Sequence, residues 1–199
     1  MFLYLSNLIK GKGILIVIEA FERILKKGYD SKLRIAGANA DITYDDLRKI
    51  ISEKGISDKV TLVGPVYEED KLNEYRNCHS LLLPSDYDTF GLVLVEAMQF
   101  GVPCISTKMG AIPDVLGEGR GIVIQEINAI ALATSMEWLI NNPKERKQMT
   151  VASATDASFS LLPLTWKTID WPRVRQVVRP ESPTRPDGLP QDPSSGTLR

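Results

Sequence analysis

The chain is poor in the residues that build metal centres and disulfide frameworks. Its 199 residues include two cysteines and one histidine. Cys78 and Cys104 lie in apolar, strand-like surroundings with no CxxC spacing, so they read as buried reduced thiols. His79 opens an apolar run and reads as structural, and no metal site is expected. A surplus of either charge is also missing: 25 acidic residues face 24 basic ones. No overall basic field marks a nucleic-acid or anionic-membrane binder, and any anion must be met locally. No apolar run approaches the roughly 20 residues of a membrane span. The opening MFLYLSNLIKGKG lacks the basic start and small-residue cleavage site of a secretory signal, and the expectation is a cytoplasmic protein with no transmembrane segment. No internal repeat of fixed period occurs.

What is present is an alternation. Short apolar runs are followed by helical patterns: FLYLS at 2–6, then 13–27 with Ile14, Ile18, Phe21 and Leu25 on one face. KLRIAG at 32–37 precedes Tyr44 to Lys54, KVTLVG at 59–64 precedes Glu68 to Asn77, and SLLLPS at 80–85 precedes Gly91 to Phe100. Strands VPCIST and GIVIQ and a helix through ALATSMEWLI complete the series. Continuously apolar strands alternating with helices predict an α/β fold, a doubly wound parallel sheet of Rossmann type covered on both faces. The pattern ends near residue 150. Seven of the twelve prolines fall from Ser160 onward, and RPESPTRPDGLPQDPSSGTLR has almost nothing apolar to bury. The expected organisation is a folded unit over 1–150, a poorly determined segment over 151–179 and a disordered Pro-rich tail over 180–199.

Within the helix Gly91 to Phe100, Glu96 is flanked by Leu94, Val95, Ala97 and Met98. A buried ionised carboxylate requires a donor. In an open parallel sheet, ligands bind beyond the carboxyl ends of strands, and LLLPSDYDTFGL is such an end. The first helical amides, near Phe90, Gly91 and Leu92, lack intrahelical partners and carry about half a positive charge, which suits a phosphate. Asp88 stands eight residues before Glu96, up to about 12 Å along a helix, so the two acids suit opposite ends of an extended ligand: sugar, diphosphate, ribose. The alternative is that Asp88 caps the helix or a turn and Glu96 pairs with a neighbouring basic residue. Lys12 in GKG lacks the full GxxxxGK[ST] pattern of a Walker loop.

DTFGLVLVEAM resembles the signature segment of the retaining glycosyltransferases of family four, often called group 1: two acids separated by seven residues around a Phe-Gly-Leu turn. LSNLIKGKGILIVIEAF is similar to that family's opening segment, and MGAIPDVLGEGRGIVI to its Gly-Gly-x-Pro-Glu segment. The resemblance implies that 1–150 is the C-terminal, nucleotide-sugar-binding half of a two-domain GT-B fold. It implies that Glu96 holds the ribose hydroxyls and Asp88 contacts the donor sugar. Lys12 would face the diphosphate and stabilise the leaving group, while Phe90, Gly91 and Leu92 line the sugar and phosphates. Asn7 takes the place of a common arginine beside the lysine, Val66 belongs to the wall near the base, and Gly110 gives close backbone approach near the donor or makes a simple turn. Asp88 stands where the family usually has Glu, and Ala111 and Asp114 stand where it has Gly and Glu.

The implied activity is transfer of a sugar from a nucleotide diphosphate sugar to an acceptor with retention, the enzyme positioning reactants and stabilising the departing diphosphate. The nucleotide sugar is a substrate, and no cofactor is expected. Met1 directly before the first strand is read as a truncated or split product, inactive without a separate acceptor-binding domain or subunit. The rival readings are a noncatalytic nucleotide-sugar-binding protein, a nucleotide-sugar epimerase and a plain doubly wound signalling domain.

Overall fold

The structure, a computed structural model, describes residues 1–155 except Glu118. The expected segment over 151–179 and the tail over 180–199 lie outside these residues, apart from 151–155, which close the last helix.

Six strands form one parallel sheet: β1 (Phe2–Leu5), β2 (Leu33–Ala36), β3 (Val60–Gly64), β4 (Ser80–Leu83), β5 (Cys104–Thr107) and β6 (Gly121–Ile124). Their order is β3-β2-β1-β4-β5-β6, so the winding reverses between β1 and β4. The helices are α1 (Ile14–Lys26), α2 (Tyr44–Glu53), α3 (Glu68–Asn77), α4 (Leu92–Gln99), α5 (Ile112–Leu116), α6 (Ala129–Asn141) and α7 (Pro143–Thr155). The doubly wound α/β sheet expected from the alternation is therefore present. The periodicity did not separate the five-residue α5, which is shorter than two helical turns. The last helix continues five residues past the expected boundary at 150.

Strand side chains alternate between two cores because successive Cβ atoms point to opposite faces. Phe2, Tyr4, Leu33, Ile35, Leu82 and Ile105 join α1, α2 and α6 on one face. Leu3, Leu5, Leu81, Leu83 and Cys104 join α3, α4 and α5 on the other. Helix starts follow local chemistry. Thr43 and Asp46 form a reciprocal capping box at α2, and the Asn128 side chain accepts the Ala131 amide at α6. On α1 the buried Ile14, Val17, Ile18, Phe21 and Ile24 make an inner stripe, while Glu19–Arg23 and Glu22–Lys26 pair on the outside.

Both cysteines are buried and unbridged, as expected. Burial pushes the Cys78 thiol up to about 12 and the Cys104 thiol well above its ordinary value. Because the thiolate is the reactive form, neither should react with a disulfide reagent at pH 8 in the folded chain, and both should react in urea. Rapid labelling of one thiol without denaturant would contradict this placement.

Candidate functional site

Two loops meet at the reversal point, as ligand-binding crevices in such sheets require. The segment after β1 holds a short 3₁₀ turn, Lys10–Lys12, ended by Gly13 at φ 77°. The segment after β4 runs from Pro84 to Gly91. They touch through backbone: the Asp86 amide donates to the Gly11 carbonyl at 2.9 Å. A Cβ on Gly13 would stand 2.2 Å from the Pro84 carbonyl oxygen, so only glycine permits this approach. The β5 end is knitted to the second loop by Ser106 Oγ to the Leu83 carbonyl and Thr107 Oγ1 to the Ser85 carbonyl, both at 2.6 Å. Gly110, at φ 54°, lies against the Asp88 and Thr89 carbonyls, and the Ala111 amide donates to Thr89. Gly110 thus does make a close backbone approach, but to the chain's own Asp88–Thr89 segment.

Across the crevice Lys12 Nζ donates to Asp88 Oδ2 at 2.8 Å and to the Tyr87 carbonyl at 3.2 Å. Asp88 Oδ1 accepts the amides of Gly91 at 2.9 Å and Phe90 at 3.3 Å. These two amides, expected to face an anion, are taken by the aspartate as in a helix cap. The next two, of Leu92 and Val93, have no acceptor among the described residues. Gly91 precedes α4 at φ 71°, and a Cβ there would stand 2.7 Å from the Leu94 side chain, so this position packs closely only without a side chain.

Glu96 is 20% exposed on its side chain. Its partners are on α3: Lys71 Nζ donates to Oε1 at 2.8 Å and the Tyr75 hydroxyl to Oε2 at 2.7 Å. The expectation that a carboxylate here needs donors is met within the protein, by a basic residue as in the alternative reading. Burial first, and then the Glu96 charge, push the Tyr75 phenol well above its ordinary value, which keeps it a donor. The chain thus brings Lys12 onto Asp88, Asp88 onto the Phe90 and Gly91 amides ahead of Leu92, and Gly110 onto the Asp88–Thr89 backbone, with Glu96 further along α4.

Asn7 lies in the same first loop, but its Oδ1 accepts the Ala38 amide at 3.3 Å and its carbonyl faces Tyr4. Its side-chain oxygen therefore braces the neighbouring strand end. Val66 is half-buried in the connection from β3 to α3, packed on the second core. His79 sits just before β4 at the opposite end of the central strands, where Nδ1 meets the Met1 amino group at 2.9 Å.

Sequence reasoning missed Lys71, Tyr75, Arg34 and Glu74. Arg34 on β2 grips Glu74 with two bonds of 2.7 Å each. The available signal was spacing: Lys71 and Tyr75 are four apart on one side of a helix that is otherwise polar except for Leu72. Among the described residues no group of three or more His, Cys, Asp or Glu could hold a metal ion, and no helix is long and apolar enough to cross a membrane. A cavity of about 480 Å³ at the other end of the sheet, lined by Glu22, Lys26, Asp30, Lys54 and Lys59, has its cations already paired with Glu22 and Asp30.

Residues 1–155 match the family model described as glycosyl transferases group 1. A D-inositol 3-phosphate glycosyltransferase of Arthrobacter sp. (strain FB24) is 30% identical over 150 residues, covering 75% of this chain and 36% of that protein. An N-acetyl-alpha-D-glucosaminyl L-malate synthase of Bacillus anthracis is 35% identical over 118 residues, covering 59% of this chain and 29% of that one. The chain therefore spans about a third of the length of these curated relatives. Among solved structures, the C-terminal domain of the group 1 glycosyl transferase LpcC from Francisella tularensis superposes with a TM-score of 0.68 at 23% identity, covering 77% of this chain and 82% of that one. Anabaena Alr3699/HepE, solved in complex with UDP and glucose, gives a TM-score of 0.70 at 21% identity, over 79% of this chain and 43% of that one. With this sheet order and a family match that spans all the described residues, the chain belongs to the group 1 glycosyl transferases.

Proposed function

We propose that this chain is the donor-binding half of a retaining glycosyltransferase that transfers a sugar from a nucleotide diphosphate sugar to an acceptor. The observation that carries the reading is the Lys12–Asp88 pair spanning the reversal point at 2.8 Å, beside the unengaged amides of Leu92 and Val93. In this reading a donor diphosphate settles over those amides and draws Lys12 from Asp88, since two negative phosphates attract an ammonium more strongly than one carboxylate. Asp88 keeps its grip on the Phe90 and Gly91 amides through Oδ1 and offers the released Oδ2 to sugar hydroxyls. As the bond to the diphosphate breaks, charge grows on the leaving oxygen, and Lys12 is the cation placed to stabilise it. Glu96, further along α4, takes the nucleoside hydroxyls. The UDP and glucose bound by Anabaena HepE support a donor of this class. The donor unit is residues 1–150, extended by the end of α7, and the acceptor is held by groups outside it.

Calorimetric titration with UDP, GDP, ADP and uridine tests the reading. Lys12→Ala is expected to weaken the preferred diphosphate about tenfold while leaving the nucleoside unchanged, because a charge-assisted bond to phosphate is lost. Glu96→Gln should weaken diphosphate and nucleoside alike. Affinities unchanged in both variants, or a parent chain that binds none of the diphosphates, would remove the assignment.

A further inference from the structure

We propose that Tyr75 and Lys71 are positioning residues that fix the Glu96 carboxylate so that it selects a ligand presenting two neighbouring hydroxyls. The inference rests on the reading of Glu96 as the nucleoside-side acid and goes beyond it by naming what sets that acid's orientation. Tyr75 is fully buried, so it cannot touch a ligand itself. Its hydroxyl donates to Oε2 and Lys71 donates to Oε1. With one donor on each oxygen, the carboxylate cannot rotate without breaking a bond, yet each oxygen keeps further accepting capacity. Two acceptors left open on adjacent oxygens match two hydroxyls on adjacent carbons.

The donors are themselves held. Glu74, next to Tyr75, is locked to Arg34 of the central sheet by both arms of the guanidinium. The Tyr75 ring stacks on Phe100 with centroids 5.8 Å apart, and the Arg76 guanidinium lies 5.4 Å over the same Phe100 ring. Phe100 ends α4, the helix that carries Glu96. Helix α3 therefore grips α4 at two points, the carboxylate and the helix end, and the geometry of one is tied to the other. A carboxylate oriented before binding costs the ligand less ordering than one that must be caught from a rotamer ensemble.

The experiment uses the full chain with UDP and 2′-deoxy-UDP, and with GDP and 2′-deoxy-GDP, in the parent and in Tyr75→Phe, Lys71→Met, Glu96→Gln and Tyr75→Phe/Glu96→Gln. The parent should bind the ribose form of its preferred diphosphate about tenfold more tightly than the 2′-deoxy form, as expected for one hydrogen bond to a charged group. Tyr75→Phe should erase most of that ratio while leaving the affinity for the deoxy form unchanged, and it should have no further effect in the Glu96→Gln background. A merely structural role would weaken both forms together. If the parent discriminates and a folded Tyr75→Phe variant keeps the full ratio, the positioning inference is overturned and the donor-site reading stands. If the parent binds the diphosphate without discriminating, the Glu96 assignment falls and the inference with it. Should Tyr75→Phe fail to fold, Lys71→Met decides on the same ratio: its loss supports the inference and its retention overturns it.

Discussion

Gly13→Ala should lower the stability of this chain by about 3 kcal/mol, read as a large fall in the urea midpoint, because two costs coincide at one residue. The first is conformational: Gly13 has φ 77°, where a side chain carries about 1–2 kcal/mol of strain. The second is steric. The new Cβ would lie 2.2 Å from the Pro84 carbonyl oxygen and 2.8 Å from its carbonyl carbon, and a backbone neighbour cannot turn aside as a side chain can. The β4 loop must retreat, taking Asp88 away from Lys12, so diphosphate binding should fall with stability. Gly28→Ala is the comparison. Its φ is 88° and nothing stands within 4 Å of the added carbon, so only the first cost applies, about 1–2 kcal/mol. Equal midpoints for the two variants would show that the loops do not approach as closely as the structure places them.

Arg34→Leu should lower stability by about 2–3 kcal/mol although it lies away from the two loops. Glu74 is only 8% exposed, and removing its partner leaves a nearly buried carboxylate with neither of its two guanidinium bonds. The figure is set below that of a fully buried pair because the Arg34 side chain is 30% exposed and water can reach it. The informative variant is the double one. Arg34→Leu/Glu74→Leu removes both charges, and its stability should return most of the way to the parent's, since an apolar pair of similar volume needs no compensation. A double variant no more stable than Arg34→Leu would mean that the pair is not the source of the loss. The single variant should also blunt discrimination between ribose and deoxyribose ligands, because Glu74 anchors the helix that carries Lys71 and Tyr75.

Much of this architecture was legible in the residues. Short apolar runs such as LLL at 81–83, recurring between helix patterns, read as strands buried on both faces, and the alternation leaves few arrangements besides a covered parallel sheet. The bounds agree with the expected ones to within two residues at α1, α2, α3 and α4. What the pattern could not order were the strands. The reversal between β1 and β4 depends on where the crossover through α3 lands, and that is decided by which face of each helix finds a complementary partner in three dimensions.

The site divides in the same way. Asp88, Gly91 and Glu96 lie within one nine-residue stretch, and the helix-start geometry follows from a Gly placed three residues after an Asp. The sequence could not show that Asp88 occupies the Phe90 and Gly91 amides itself, because the choice between internal cap and open anion site turns on side-chain rotamers. Nor could it show that the donors for Glu96 come from α3.

By itself, then, the order of residues determined a strand–helix alternation, a helix start bracketed by two carboxylates, and a lysine loop resembling one family's phosphate site. The tertiary structure alone decided that Lys12, 76 residues away in the chain, reaches Asp88, and that Lys71 and Tyr75 hold Glu96. The reason is physical: periodicity reports which face of an element is apolar, whereas a hydrogen bond requires two groups within about 3 Å, and only the packing of one element on another sets that distance.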